Sequence, residues 1–311
     1  MKNATLRQLR VFESAARHLS LTRAAEELHL TPPAISIQIR LLEGHARAPL
    51  FERTGRRLKL TQAGEEVLGH AREILGHIRA SEEAIAGLAS LEQGLLDVAV
   101  INAGDYFLPW LIAAFRARHP RVRARITVGN RDVLLERLAK HEIDLAVMSH
   151  APTRPEFAAR PFAPHPHVVV AAPGHPLAKR RSVTLEAVAR EPLISREPGS
   201  ATRLAMDQAF SESGVVPRIE MEIASNETIK QAVAAGFGLG FLSGHAVHQE
   251  LALGRLAIVP VKGFPFMRQW YVVHRRERTL PRIAEAFERF VVEEGARLIR
   301  GAVTAGRRRA R

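Results

Sequence analysis

Residues 20 to 43, SLTRAAEELHLTPPAISIQIRLLE, carry two short apolar stripes with a turn between them. Leu21, Ala24, Ala25 and Leu28 recur at the spacing of one helical face. Ile35, Ile39 and Leu42 repeat that spacing after a turn at His29 to Thr31. Thr31 is placed to cap the second helix. Pro32 and Pro33 suit its first turn, where their missing N–H groups would have had no partner. Helices joined this tightly must cross steeply. The second leaves Ser36, Ile37, Gln38 and Arg40 off its buried stripe.

A longer pattern begins at Thr61, which is placed as its cap. Val67, Ala71, Ile74, Ile78, Ser81, Ile85 and Leu88 alternate spacings of four and three, the rhythm of a seam buried against another helix. This predicts a helix over 62–91, about 45 Å long at 1.5 Å per residue, and dimerisation through it. A helix lying along its own domain is the alternative, which Ala71 and Ser81 leave open. After Gly94 the period changes again. LLDVAVI, ARITV, DLAVM, HVVVAA, IEMEIA and LGFLS are β-rich, with helical LPWLIAAFRARHP and RDVLLERLAKHEI between them. The alternation predicts a parallel sheet. The chain is expected to cross to a second subdomain near Pro161 to His167 and to return near Phe264 to Trp270.

Charge brings in a partner. The formal net charge is +13, and residues 1–60 hold eleven Lys or Arg against five Glu. LFERTGRRLKLT, Leu50 to Thr61, reads as a hairpin turning at Gly55, with Arg53, Arg56 and Arg57 at its tip. Such a wing beside a helix-turn-helix can reach the phosphates of double-stranded DNA, although a solvated basic turn is the plainer reading. The candidate DNA contacts are Thr22, Arg23, Thr31, Pro32, Ser36, Ile37, Gln38 and Arg40, with Arg53, Arg56 and Arg57 on the wing. The absence of cysteine excludes a disulfide framework, thiolate catalysis and Cys-ligated metal. No apolar run reaches eighteen residues and MKNATLRQLR opens directly into a helix, so a cytoplasmic protein with no membrane partner is expected.

Enzyme signatures are weak. Gly236, Gly238 and Gly240 sit in AAGFGLGFLS, but Phe241 breaks the dinucleotide pattern, and a helix end with a tight turn fits better. His150, His165 and His167 could hold a metal. No carboxylate or Cys completes a ligand set, so scattered surface histidines are expected and no metal. Three loops remain as candidate pocket edges: Gly129, Asn130 and Arg131; Gly199, Ser200, Thr202 and Arg203; Ser225, Asn226 and Thr228. Each joins small or hydroxyl side chains to helix-terminal N–H groups, which suits a small anionic metabolite. Simple helix capping is the alternative for each loop.

LRQLRVFESAARHLSLTRAAEELHLTPPAISIQIRLLE followed by PLFERTGRRLKLTQAGEEVL resembles the N-terminal signature of LysR-type transcriptional regulators. YFLPWLIAAFRARHP, VGNRDVLLERLAKHEIDLAVM, REPGSATR, SNETIKQAVAAGFGLGFLS and WYVVHRR are similar to the branch that controls RuBisCO operons of the Calvin cycle. The resemblance implies an α/β chain of four parts. These are a winged helix-turn-helix (1–61), a dimerisation linker helix (62–91), a periplasmic-binding-protein-like effector domain (92–300) and a disordered basic tail (301–311). Within the effector domain, subdomain I is expected over 92–163 and 269–300, and subdomain II over 164–268. It also implies a homodimer or homotetramer on promoter DNA, an indirect effect on RNA polymerase, and no catalytic cofactor. The implied effector is a phosphorylated metabolite or NADPH, bound by the three loops together with Asn102 and Ala103. The chain departs from the family at Pro32, where Gln is usual, and at Arg47, where Gly usually ends the recognition helix. Asn102 and Ala103 stand where that branch tends to carry Ser and Thr.

Overall fold

Thr5 opens the first helix with a reciprocal cap: it accepts from Gln8 N at 3.2 Å, and its own N–H donates to Gln8 Oε1 at 2.8 Å. The computed structural model describes residues 3–54, 57–87 and 94–309. It divides into Met1–Ile85 with Lys140–Glu142, and Ala86–Ala139 with Ile143–Arg311. The first unit holds α1 (Leu6–His18), α2 (Leu21–Leu28), α3 (Pro32–Ala46), the strands β1 (Phe51–Thr54) and β2 (Arg57–Leu60), and α4 (Gln62–Gly87). Val11, Ala15, Ala24, Ala25, Ile35 and Ile39 lock α1, α2 and α3 into one small core. Thr31 caps α3 by accepting from Ala34 N. Glu43, near the end of α3, accepts from Leu50 N at 2.8 Å and so fixes where the hairpin starts.

α4 begins as the sequence predicts, with Thr61 Oγ1 accepting from Gly64 N at 3.0 Å. A Cβ at Gly64 would lie 2.1 Å from the Leu50 carbonyl oxygen, so only glycine fits. The seam is corrected at its start. Ala71 is 1% exposed and packs with Leu9, Phe12, Leu42, Leu50 and Leu68, with Val67 against the same cluster. A methyl side chain at 71 lets α4 lie close on its own domain, which removes Ala71 from any dimer seam. Ile74 is exposed and Ile78 half-buried. The Ile85 side chain and all of Leu88 lie outside the described residues.

The second unit contains β3 (Gly94–Ile101), α5 (Leu108–Arg118), β4 (Val122–Gly129), α6 (Arg131–Ala139), β5 (Leu145–Met148) and β6 (Phe157–Ala171). It continues with α7 (Leu185–Ala189), β7 (Leu193–Ser195), α8 (Ala201–Glu212), β8 (Ile219–Glu222), α9 (Asn226–Ala234) and β9 (Leu239–Ser243). It ends with α10 (His248–Ala252), β10 (Ala257–Ile258), β11 (Phe266–Arg275) and α11 (Arg282–Arg309). The strands run in the order β4-β3-β5-β11-β6-β9-β7-β8, with β10 also on β6. The expected parallel pairing occurs at β3–β4, β3–β5, β7–β8 and β7–β9. In the middle it gives way to antiparallel pairs: β11 with β5 and β6, and β6 with β9.

One core gathers Leu96, Val98, Leu111, Phe115, Trp270 and Phe287; another gathers Val169, Leu193, Met206, Phe210 and Phe241. β6 and β11 are long strands, and the 161–167 segment, where the sequence suggests a crossing, lies within β6. Pro161, Pro164 and Pro166 fit because β6 has β11 alone as neighbour until His167, where β9 joins. The tail expected to be disordered instead continues α11 to Arg309. No proline interrupts it.

Candidate DNA-binding surface and effector cleft

The turn between α2 and α3 is three residues long, and the two helices share buried faces through Ala24, Ala25, Ile35 and Ile39. What α3 leaves outside is Thr31, Pro32, Ile37 and Arg40, with Ser36 and Gln38 half-exposed. Ile37 is 50% and Leu41 47% exposed, an apolar strip able to meet thymine methyls between polar contacts. Thr22 and Arg23 are exposed on the first turn of α2. Arg17 holds α1 to α2 through two bonds to Glu27, at 2.6 and 2.7 Å. In the wing, Phe51 pairs with Leu60 and Thr54 with Arg57. Arg53 and Arg57 therefore belong to the hairpin strands, while Gly55, Arg56 and the side chains of Arg53 and Arg57 lie outside the described residues.

In the second unit the predicted loops partly converge. Ile101, Asn102, Ala103, Gly129, Asn130, Arg131, Arg196, Ser200, Ala201 and Thr202 line one cleft between the halves. The space within it is about 10 Å³, room for one water at most. Ser200 and Thr202 are 4% and 3% exposed and begin α8. The capping alternative separates the loops. Ser225 accepts from Thr228 N and Asn130 from Val133 N, so both cap helices. Ser200, at the same position before α8, makes no cap bond. Ser200, Ala201 and Thr202 at the start of α8 line the cleft, at the helix end whose dipole favours an anion.

Two predicted residues are corrected. Arg203 bonds Asp207 at 3.0 Å, Glu222 at 2.5 Å and the Arg196 carbonyl oxygen at 3.1 Å, and does not line the cleft. Thr228 is exposed on α9 and does not line the cleft either. Asn226 does contribute, because it is 5% exposed and bonds two cleft residues. Its Oδ1 accepts from Arg196 Nη1 at 2.7 Å, and its Nδ2 donates to the Asn102 carbonyl oxygen at 3.3 Å. Asn102 in turn donates to the Gly129 carbonyl oxygen at 2.8 Å and accepts from Arg196 Nη2 at 3.0 Å.

Arg196, 2% exposed, is the residue that sequence reasoning missed. Glu197 neutralises it with bonds of 2.7 and 2.9 Å. It therefore acts as a latch joining Asn102 of one half to Asn226 of the other. Tyr106 Oη adds a second tie, donating to Glu227 at 2.6 Å. Asp105 beside it is partly desolvated, which raises its carboxyl pKa to about 6.

The histidines are corrected too. His165 and His167, expected at the surface, are fully buried, and among the described residues no group of three metal-ligating side chains forms. Both lie on β6, where His165 stacks on Trp270 of the neighbouring β11 at 4.0 Å.

Residues 6–65 match the bacterial regulatory helix-turn-helix protein, lysR family, and residues 89–296 match the LysR substrate binding domain. The chain is a LysR-type transcriptional regulator. It thus belongs to a family of DNA-binding regulators and not of enzymes. It is 45% identical over 296 residues to the RuBisCO operon transcriptional regulator of Allochromatium vinosum, covering 95% of this chain and 98% of that one. It is 43% identical over 294 residues to the HTH-type transcriptional regulator CbbR of Xanthobacter flavus, covering 94% and 88%. Among solved structures, the Synechocystis PCC6803 CcmR regulatory domain in complex with 2-PG superposes with a TM-score of 0.62. That match has 35% identity and covers 65% of this chain and 97% of that one. No helix among the described residues is long and apolar enough to cross a membrane.

Proposed function

We propose that this LysR-type regulator binds the promoter of CO2-fixation genes, those of RuBisCO among them, and responds to a small anionic metabolite held in the cleft. The observation that carries the ligand reading is the start of α8. Ser200 and Thr202 are buried there, Ser200 leaves its capping role unfilled, and Arg131 lines the same cleft. The gene target rests on the 45% and 43% identity to regulators named for the RuBisCO operon and CbbR. A phosphorylated metabolite or NADPH is the class of effector that fits.

The cleft has too little space for such a molecule, so binding requires the two halves to part or shift. An effector then works by favouring the arrangement in which Arg196 no longer ties Asn102 to Asn226. Ile74, 41% exposed on α4, supports a dimer seam beyond Ala71. Ile126 and Val128 are 42% and 48% exposed on β4, and Met221 is 38% exposed on β8, at opposite ends of the sheet. Apolar residues on both terminal strands support association of effector units as well, and hence a homotetramer. Four recognition helices would then contact two separated DNA segments, with RNA polymerase affected through the DNA between them.

Footprinting on the DNA upstream of this gene and of the RuBisCO genes, with phosphorylated metabolites and NADPH in turn, tests the reading. Long protection that shortens or shifts with one compound is expected. Protection that no anionic compound alters would overturn the effector class, and absence of protection at moderate salt would overturn the promoter.

A further inference from the structure

Arg131, which lines the cleft, belongs to a second group of donors without acceptors. His150 follows β5 with its Nδ1 3.2 Å from Ser149 Oγ. With the serine donating, the ring proton sits on Nε2, which is buried and unpartnered. Nε of Arg131, and Nε and Nη2 of Arg268, are likewise buried and unpartnered. Arg131 gives its Nη1 to Asp132 at 3.0 Å, and Arg268 lies 4.7 Å from the Phe266 ring centroid. Arg268 stands opposite His165 in the β6–β11 ladder, and His165 and His167 are 4.1 Å apart. The influences on His150 all have one sign: burial, Arg268 and Arg131 push its pKa down to about 4. A buried donor without an acceptor costs on the order of 1–3 kcal/mol. Several of them gathered around one histidine describe a site whose acceptor is not part of the chain.

We propose that Arg131, His150 and Arg268 form a second anion subsite adjoining the cleft, which takes the other end of a ligand carrying two anionic groups. This rests on the reading of the cleft as an anion site, since Arg131 serves both. A carboxylate or phosphate seated there accepts from Arg131 Nε, His150 Nε2, and Arg268 Nε or Nη2. The charged and titratable groups facing His150 are Arg131 on α6, Arg268 on β11, and His165 and His167 on β6. An anion placed between His150 and the arginines favours the protonated ring. Binding therefore takes up a proton and tightens as pH falls toward the pKa of the occupied site.

Calorimetric titration of the full chain with methanesulfonate, sulfoacetate and 3-sulfopropionate tests the subsite, because these compounds do not themselves titrate near neutral pH. At least one of the two-headed compounds should bind about tenfold tighter than methanesulfonate, as a charge-assisted contact requires. Its heat should depend on the buffer, reporting proton uptake. Arg268→Gln should remove the tenfold advantage, and His150→Gln should remove the proton uptake. Arg268→Gln removes an unpaired charge, so the variant should melt no lower than the parent. Equal binding of one- and two-headed compounds, or an advantage that survives Arg268→Gln, overturns the subsite and leaves the cleft reading intact. Failure of all three compounds to bind overturns both.

Discussion

At the scale of single residues, neighbours in sequence separate sharply in space. Thr202 and Arg203 read alike in the sequence, a hydroxyl and a cation at the start of a helix. The fold turns Thr202 into the cleft and ties Arg203 to Asp207 and Glu222 outside it. Substitution should divide them. Thr202→Val should weaken effector binding about 10- to 100-fold, the loss of one hydrogen bond to a charged group. Arg203→Ala should change it less than about twofold, since that cation already has carboxylate partners. Titrating the same effector into both variants checks this, and equal losses would return Arg203 to the site. Arg196 could not have been found in the same way. An arginine before a glutamate usually faces water, and only the fold shows it buried between two asparagines.

Among elements, the DNA-binding helices share an unusual ending. α1, α2 and α3 stop at Leu19, His29 and Arg47, with φ of 47°, 53° and 55°, and none is glycine. Left-handed backbone costs an L-residue roughly 1 kcal/mol relative to glycine. Arg47 is exposed and its backbone N–H already satisfies the Glu43 carbonyl, so its side chain adds little there. Arg47→Gly should therefore stabilise the first unit by up to about 1 kcal/mol, less whatever flexibility glycine adds to the unfolded chain. A higher urea midpoint by circular dichroism would show it, and a lower one would mean that the arginine packs. Helices with strong apolar periodicity were legible from sequence, as were their caps at Thr31 and Thr61. β6 was half legible: HVVVAA reads as a strand, but its proline-rich first part does not until β11 is seen as its one neighbour there. β7, only Leu193–Ser195, was too short to stand out. The α4 seam was half legible. Spacing shows that Ala71 is buried, but not whether its partner is another chain or Phe12 and Leu68 of its own domain.

For the molecule as a whole, the buried imidazoles make stability depend on pH, and they sit in one unit only. Burial lowers the pKa of His150 and His245 to about 4 and of His167 to about 3, and holds His165 well below its usual value. All four belong to the second unit. In the unfolded chain each titrates near 6.5. Between pH 6.5 and 4 the unfolded state therefore takes protons that the folded state refuses. Stability contributed by these neutral rings is complete above pH 6.5 and drains away as pH falls toward the folded values. The slope is about 1.4 kcal/mol per pH unit for each such histidine. Asp105 works in the opposite sense, since its raised pKa of about 6 favours folding at lower pH, but it is one group against four histidines. The histidines should dominate. Both tryptophans of the chain, Trp110 and Trp270, lie in this same unit, and Trp270 is wholly buried against His165. Intrinsic fluorescence thus follows the effector unit alone, while far-ultraviolet circular dichroism follows both units. Lowering the pH from 7.5 to 5.5 should move the fluorescence urea midpoint down and split it from the helical signal of the DNA-binding unit. A fluorescence midpoint that stays fixed over that range would mean that the imidazoles accept protons without leaving the core, and the pH coupling argued for the anion subsite would lose its physical basis.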